Sequence, residues 1–219
     1  MIKSRAAKGA KREAILNAAI RVFARRGFHQ SPVSEIAREA GVADGTIYLY
    51  FKNKDDLLIA IFEDKMAEVI DGLREALGKH ETPSAKLNCF INFHLGRMAK
   101  NRELAEILQV ELRLSSKFMK EYVPVRLTEY LDIIASVIEE GQAKGEFRAD
   151  LNPGVLKWAV FGALDELAMH WVLSRRRRTD LKMEAAQVSE LLLRGMRNHP
   201  ERGDEILGEG RSPEGAGAS

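Results

Sequence analysis

Apolar residues recur along this chain at helical spacing almost from end to end. Ile15, Ala19, Val22 and Phe23 fall on one face of a first helix, and Gly27 stands where a helix-terminating glycine belongs. Ser31-Pro32 reads as an N-cap followed by proline in a first turn. A short helix with Val33, Ile36, Ala37 and Ala40 inward then stops at Gly41, and the turn "GVAD" leads into "GTIYLYFKNK" (45–54). Helix, helix, glycine turn, helix is the layout of a helix-turn-helix.

From Lys54 the pattern lengthens. Leu58, Phe62, Met66, Val69, Leu73 and Leu77 form one stripe, and the same spacing predicts helices over 84–99, 103–114, 120–144, 153–174 and 183–198. Gly145 closes one of these, and Asn152-Pro153 repeats the cap-then-proline start. No segment alternates as a strand would. The fold class expected is therefore all-α. It has a basic N-terminal arm (1–10), a three-helix DNA-binding domain (11–54), and a larger helical bundle for ligand binding and dimerisation (55–198). The Gly-, Glu- and Pro-rich tail (199–219) is too poor in apolar residues to fold alone.

Charge sharpens this picture. Residues 1–54 carry 11 Lys and Arg against 4 Asp and Glu, net +7; the remainder carries 23 against 28, net −5, giving the overall +2. A basic end on an acidic body suits a polyanionic partner, double-stranded DNA above all. The single cysteine, Cys89, excludes a disulfide framework and a cysteine-rich metal site. No apolar run approaches the ~18 residues of a membrane span, and none follows the charged N-terminus as in a signal peptide. A cytoplasmic protein with no membrane partner is the expectation.

"GTIYLYFKNK" has the chemistry of a DNA reader. Gly45 and Thr46 leave an open helix start with a hydroxyl nearby. Tyr48 and Tyr50 offer flat faces with phenolic tips for bases or phosphates, although one of them could equally pack in the core. Lys52 and Lys54 follow where a phosphate backbone would pass, and Ile47 and Phe51 turn inward. The stretch 15–58, "ILNAAIRVFARRGFHQSPVSEIAREAGVADGTIYLYFKNKDDLL", resembles the DNA-binding domain of the TetR family of bacterial repressors. The resemblance implies an all-α homodimer on an inverted-repeat operator. It also implies operator contacts by Ser31, Thr46, Tyr48, Tyr50, Lys52 and Lys54. Where many members have Ser-Lys, this chain has Ala43-Asp44, and Asp44 is read as a cap of the reading helix.

"VELRLSS" (110–116), "GEFRADLNP" (145–153) and "FGALDELAMHWVLS" (161–174) resemble a subgroup that represses fatty-acid degradation in bacilli and Thermus. That subgroup releases DNA on binding long-chain acyl-CoA, which is the effector the resemblance implies; no cofactor is expected. Candidates for an acyl tunnel are Phe93, Met98, Leu108, Leu112 and Phe161, with Phe90, Leu95, Phe118 and Trp158. Ordinary bundle core explains any one of them as well. Arg113, in an apolar segment, must pair with Glu111, Glu166 or a ligand. The run Arg175–Arg178, including Arg175 and Arg176, is either a second phosphate-binding candidate or a solvated helix end. His94 and His170 lack partners at metal-ligand spacing. Asp165-Glu166 with His170 is the nearest thing to catalytic machinery, without a nucleophile motif, so no catalytic residue and no enzyme is expected. Two alternatives stay open: a multidrug-type sensor on the same scaffold, and a thioester-acting enzyme. Apolar residues on nearly all sides of 155–173 suit a helix buried between its own bundle and a partner.

Overall fold

A computed structural model describes residues 2–174 and 180–198, with side chains from residue 7 onward. The expected tail (199–219) and Arg175–Arg178 lie outside the described residues. Helix α1 runs from Ile2 to Arg26, so residues 2–10, expected as a separate arm, continue the first helix. It buries Ile15, Leu16, Ala19, Val22 and Phe23; α2 (Val33–Ala40) packs on α1, and α3 (Asp44–Tyr48) on α2. Gly27 and Gly41 end α1 and α2 at φ 77° and 67°, the left-handed region where a side chain would be strained. Arg21 and Arg25 of α1 clasp Glu39 of α2, and their guanidinium groups hold its carboxyl down to about 2.

Ser31 is not the cap of α2. Pro32 precedes the helix without any side-chain cap, and the Ser31 hydroxyl instead donates to the Gly27 carbonyl at 2.7 Å. Asp44 does not cap α3 either; Ala43 occupies that position, and Asp44 is the first helical residue. The reading helix is also short. After Tyr48 the chain tightens into turns that bury Phe51, and Asn53 caps α4 (Lys54–Leu77) by accepting from Asp56 N at 2.8 Å.

The stripe expected on α4 is buried at Leu58, Phe62, Met66, Leu73 and Leu77 and half-buried at Val69. Against it pack α5 (Pro83–Lys100) and α9 (Val125–Ala143), and on these in turn α10 (Pro153–Leu173) and α11 (Leu181–Met196). Thr82 and Asn152 cap α5 and α10 just before their prolines. Two expected helices differ. The one over 103–114 is α6 (Arg102–Glu106), a π-helical stretch (Ile107–Glu111) and α7 (Leu112–Leu114). The one over 120–144 begins only at Val125 as α9, because Pro124 has no N–H to continue a helix, and a separate α8 (Ser116–Lys120) precedes it.

The turn after α9 is pinned to the end of α11. Arg148 N donates to Met196 O at 2.9 Å and Asn198 N to Glu146 O at 2.8 Å, around fully buried Phe147. A Cβ on Gly141 would fall 2.0 Å from the Phe147 ring. Gly141→Ala should therefore destabilise the chain by about 1–3 kcal/mol. Urea unfolding beside Gly162→Ala, where a Cβ meets nothing, measures it.

Candidate DNA-reading face and ligand cavity

The two tyrosines of "GTIYLYFKNK" part company. Tyr48, on α3, is 57% exposed, as is its apolar neighbour Leu49 at 79%. Tyr50 lies past the helix end, half-buried against the core with its ring 6.3 Å from that of Phe51. Gly45 is open, with nothing within 4 Å of an added Cβ; Lys52 is exposed and Thr46 half-buried. Ser31 and Lys54 are placed otherwise than expected, with their side chains engaged inside the protein. Ser31 is 1% exposed with its hydroxyl already bonded, so that side chain is not presented to DNA. Lys54 donates to the carbonyls of His29 (3.0 Å) and Ser31 (3.3 Å) and sits 4.7 Å from the Phe28 ring centre. Burial pulls its pKa below the usual lysine value. This ammonium ties the α1–α2 loop to the start of α4.

Between α4, α5, α9 and α10 the body encloses a cavity of 270 Å³. Of the residues expected to line it, Met98, Leu108, Leu112, Phe161 and Phe118 do so, with Arg113 at its rim. Phe93 does not. Its ring lies against Gly72 of α4, 3.4 Å from where a Cβ would stand. Phe90 and Leu95 are ordinary buried core, and Trp158 is on the surface at 55% exposed. Phe62 and Met66 line the cavity from within the α4 stripe. A second groove, of 920 Å³ between α4 and α9, is far more open, and its charged rim is already paired, Arg74 with Glu129 and Lys86 with Glu140. The enclosed apolar cavity is the better ligand site.

The cavity also holds polar groups that their sequence positions do not assign to a common site. Buried His94 meets the Tyr130 hydroxyl at 2.8 Å through Nδ1, while its Nε2 has no hydrogen-bond partner. Burial lowers the His94 pKa to about 4, with the charge of Asp165 opposing the shift. Burial likewise pushes the Tyr130 hydroxyl upward. Arg113 pairs with Asp165 at 2.6 Å and with Gln109, whose amide also donates to Asp165 at 2.9 Å. Neither Glu111 nor Glu166 is its partner; only a tertiary contact across 52 residues could supply Asp165. His94 makes stability pH-dependent. The unfolded chain takes up this proton near pH 6.5 and the folded chain only near 4, so the contribution is complete above 6.5 and declines as pH falls towards 4. Between pH 7.5 and 5 the protein should lose about 2 kcal/mol more stability than His94→Gln, read by urea unfolding.

One segment serves both the cavity and the DNA-binding helices. Leu108, Gln109 and Leu112 face the cavity across the π-helical stretch, a backbone form frequent at functional sites. Between them buried Glu111 reaches away and accepts the Phe28 backbone N–H at 2.5 Å. Further on, Ser115 donates to Asp55 at 2.6 Å and Lys117 pairs with Asp56, both in the first turn of α4. Phe118 packs edge-on to Phe62 with centroids 5.2 Å apart. Among the described residues, no group of three His, Cys, Asp or Glu could hold a metal, and no helix is long and apolar enough to cross a membrane.

A short, exposed helix on a basic three-helix domain, joined to an all-helical body around an apolar cavity, defines a helix-turn-helix regulator with an internal binding site. Residues 15–61 match the model of the bacterial regulatory proteins, tetR family, and residues 62–195 match that of the YsiA-like protein C-terminal region. The chain belongs to the TetR family. It is 39% identical to the fatty acid metabolism regulator protein of Bacillus subtilis over 84% of this chain and 94% of that one. Among solved structures it is similar to the regulator FadR from Bacillus subtilis in complex with stearoyl-CoA, with 39% identity and a TM-score of 0.78 over 84% of this chain and 98% of that one. It is also similar to the fatty acid degradation regulator FadR from Bacillus halodurans, with 37% identity and a TM-score of 0.77 over 84% and 99%.

Proposed function

We propose that this chain is a dimeric repressor that binds an inverted-repeat operator through residues 11–54 and is released by long-chain acyl-CoA bound within residues 55–198. Its targets would be genes of fatty-acid degradation, and it acts in the cytoplasm as a regulator rather than an enzyme. One observation carries the reading: the segment 107–118 lines the apolar cavity on one side and holds Phe28, Asp55 and Asp56 on the other. The named relatives, a fatty acid metabolism regulator and a regulator in complex with stearoyl-CoA, point to the ligand class.

A cavity of 270 Å³ falls just below the ~300–1,000 Å³ range of ligand pockets. A long tail enters it only by displacing lining side chains. Binding then favours an arrangement in which the latches to α1 and α4 are shifted, and a ligand moves an equilibrium only through such a difference in affinity. Each further methylene buried should add about 0.8 kcal/mol until the space is filled. Titrating acyl-CoA of increasing chain length against a labelled operator tests this; displacement should strengthen with length and fail for free CoA. If no acyl-CoA competes but an unrelated aromatic or cationic compound does, the ligand class is wrong. On the DNA side, Tyr48→Ala should weaken operator binding without changing the melting temperature, because this ring makes little internal contact. Lys54→Ala should instead lower stability, by loosening the α1–α2 loop.

A further inference from the structure

Arg97 of α5 faces two ways. It lines the apolar cavity, and it lines a separate groove of 390 Å³ bounded by α1, α4, α5 and α6. Four cations converge on this groove, Arg21, Lys65, Arg97 and Lys100, against the carboxylates Glu68 and Glu103. Two of the four are already neutralised: Arg21 by Glu39 and Lys65 by Glu68, both at 2.7 Å. Arg97 and Lys100 form no hydrogen bond or ion pair among the described residues. Arg97 only lies over the Phe93 ring, 6.0 Å from its centre. A half-buried guanidinium beside an apolar cavity and without a counter-ion is a costly arrangement that an anion relieves. Arg113, the other cation of the cavity, cannot serve in the same way, since Asp165 already holds it.

We propose that the groove between α1 and α5 is the anion subsite of the ligand whose tail fills the cavity. Arg97, common to the linings of the two spaces, and Lys100 hold phosphate oxygens of the coenzyme A headgroup. Arg97 offers its planar fork to paired phosphate oxygens, and Lys100 a mobile point charge. This subsite rests on the acyl-CoA reading above and gives that reading a head-group site in a groove that shares only Arg97 with the cavity. It also places the phosphates against α1, where Arg21 holds Glu39 of α2, so the headgroup touches the DNA-binding helices as well as the body.

The test is calorimetric titration of the full chain and of Arg97→Gln/Lys100→Gln with stearoyl-CoA and with stearate. Glutamine keeps much of each stem while removing the charge. The wild type should bind stearoyl-CoA more tightly than stearate. The double variant should lose at least about tenfold in stearoyl-CoA affinity, as expected for two charge-assisted contacts, and lose clearly less for stearate, which carries one carboxylate and no phosphate. Its stearoyl-CoA binding should also become less sensitive to salt. Should the double variant fold poorly, Lys100→Gln alone, at an exposed position, should show a smaller loss in the same direction. Unchanged stearoyl-CoA affinity and salt dependence in the folded variants overturn the subsite while leaving the acyl-CoA reading intact. A wild type that binds stearoyl-CoA no better than stearate also overturns it. A wild type that binds neither overturns both.

Discussion

Trp158→Asp and Leu191→Asp should each turn the protein into a monomer that no longer holds its operator at concentrations where the wild type does. Trp158 is 55% and Leu191 72% exposed, and Val155, Leu173 and Met183 extend the same apolar character over α10 and α11. Single exposed apolar residues are ordinary, but large ones gathered on two adjacent helices mark an interaction surface. A second copy using the same two helices would cover it by two-fold symmetry. A carboxylate introduced there must be buried unpaired or the interface abandoned, a cost of several kcal/mol. Losing the second reading domain then removes the ~10²–10⁴ gain of two linked contacts over one. Light scattering after size exclusion, with operator titration, reads both effects. A variant that stays dimeric places the interface elsewhere. Leu167 is a poorer probe than the chain's apolar run suggests, because it packs half-buried against its own bundle.

Glu111→Ala should uncouple ligand from DNA. It leaves the Phe28 N–H without its acceptor and should cost about 1–3 kcal/mol of stability. It also cuts the direct bond between the cavity-lining segment and the end of α1. Coupling between two sites is reciprocal, so the measurement is acyl-CoA affinity with and without operator present. In the wild type the operator should weaken acyl-CoA binding; in Glu111→Ala the two values should approach each other. Glu111→Gln keeps an acceptor oxygen and should retain most of the coupling. Coupling that survives Glu111→Ala undiminished would assign transmission to Ser115 and Lys117 alone.

Much of this was legible from the chain because helices are local objects. Periodicity placed α2, α4, α5, α10 and α11 within a few residues of their observed bounds, and the end of α1 but not its start at Ile2; glycine and proline marked most ends. The π-helical stretch at 107–111 was not legible. Its residues are helical by pattern, and the extra residue per turn suits contacts made on two sides at once. The site divides in the same way. Met98, Leu108, Leu112 and Phe161 stood out as apolar residues at helical spacing, yet so did Phe93, which the packing sends to Gly72 instead. Of the polar residues of the cavity, Tyr130 carried no local signal, and His94 and Asp165 stood out only as a lone histidine and a carboxylate beside Glu166, with nothing to join them across the fold.

The sequence by itself determined the all-helical class, the family resemblance of residues 15–58 and the concentration of positive charge at one end, because each depends on residues near one another along the chain. Only the tertiary structure decided which cations are spent and which are free. Arg113 is neutralised by a carboxylate 52 positions away, and the Lys54 ammonium and Ser31 hydroxyl are spent on backbone carbonyls of the α1–α2 loop, whereas Arg97, lining two cavities, has no ion-pair partner among the described residues. Charge and hydrogen-bonding capacity belong to a residue, but their availability belongs to its neighbours in space, which helical periodicity does not specify.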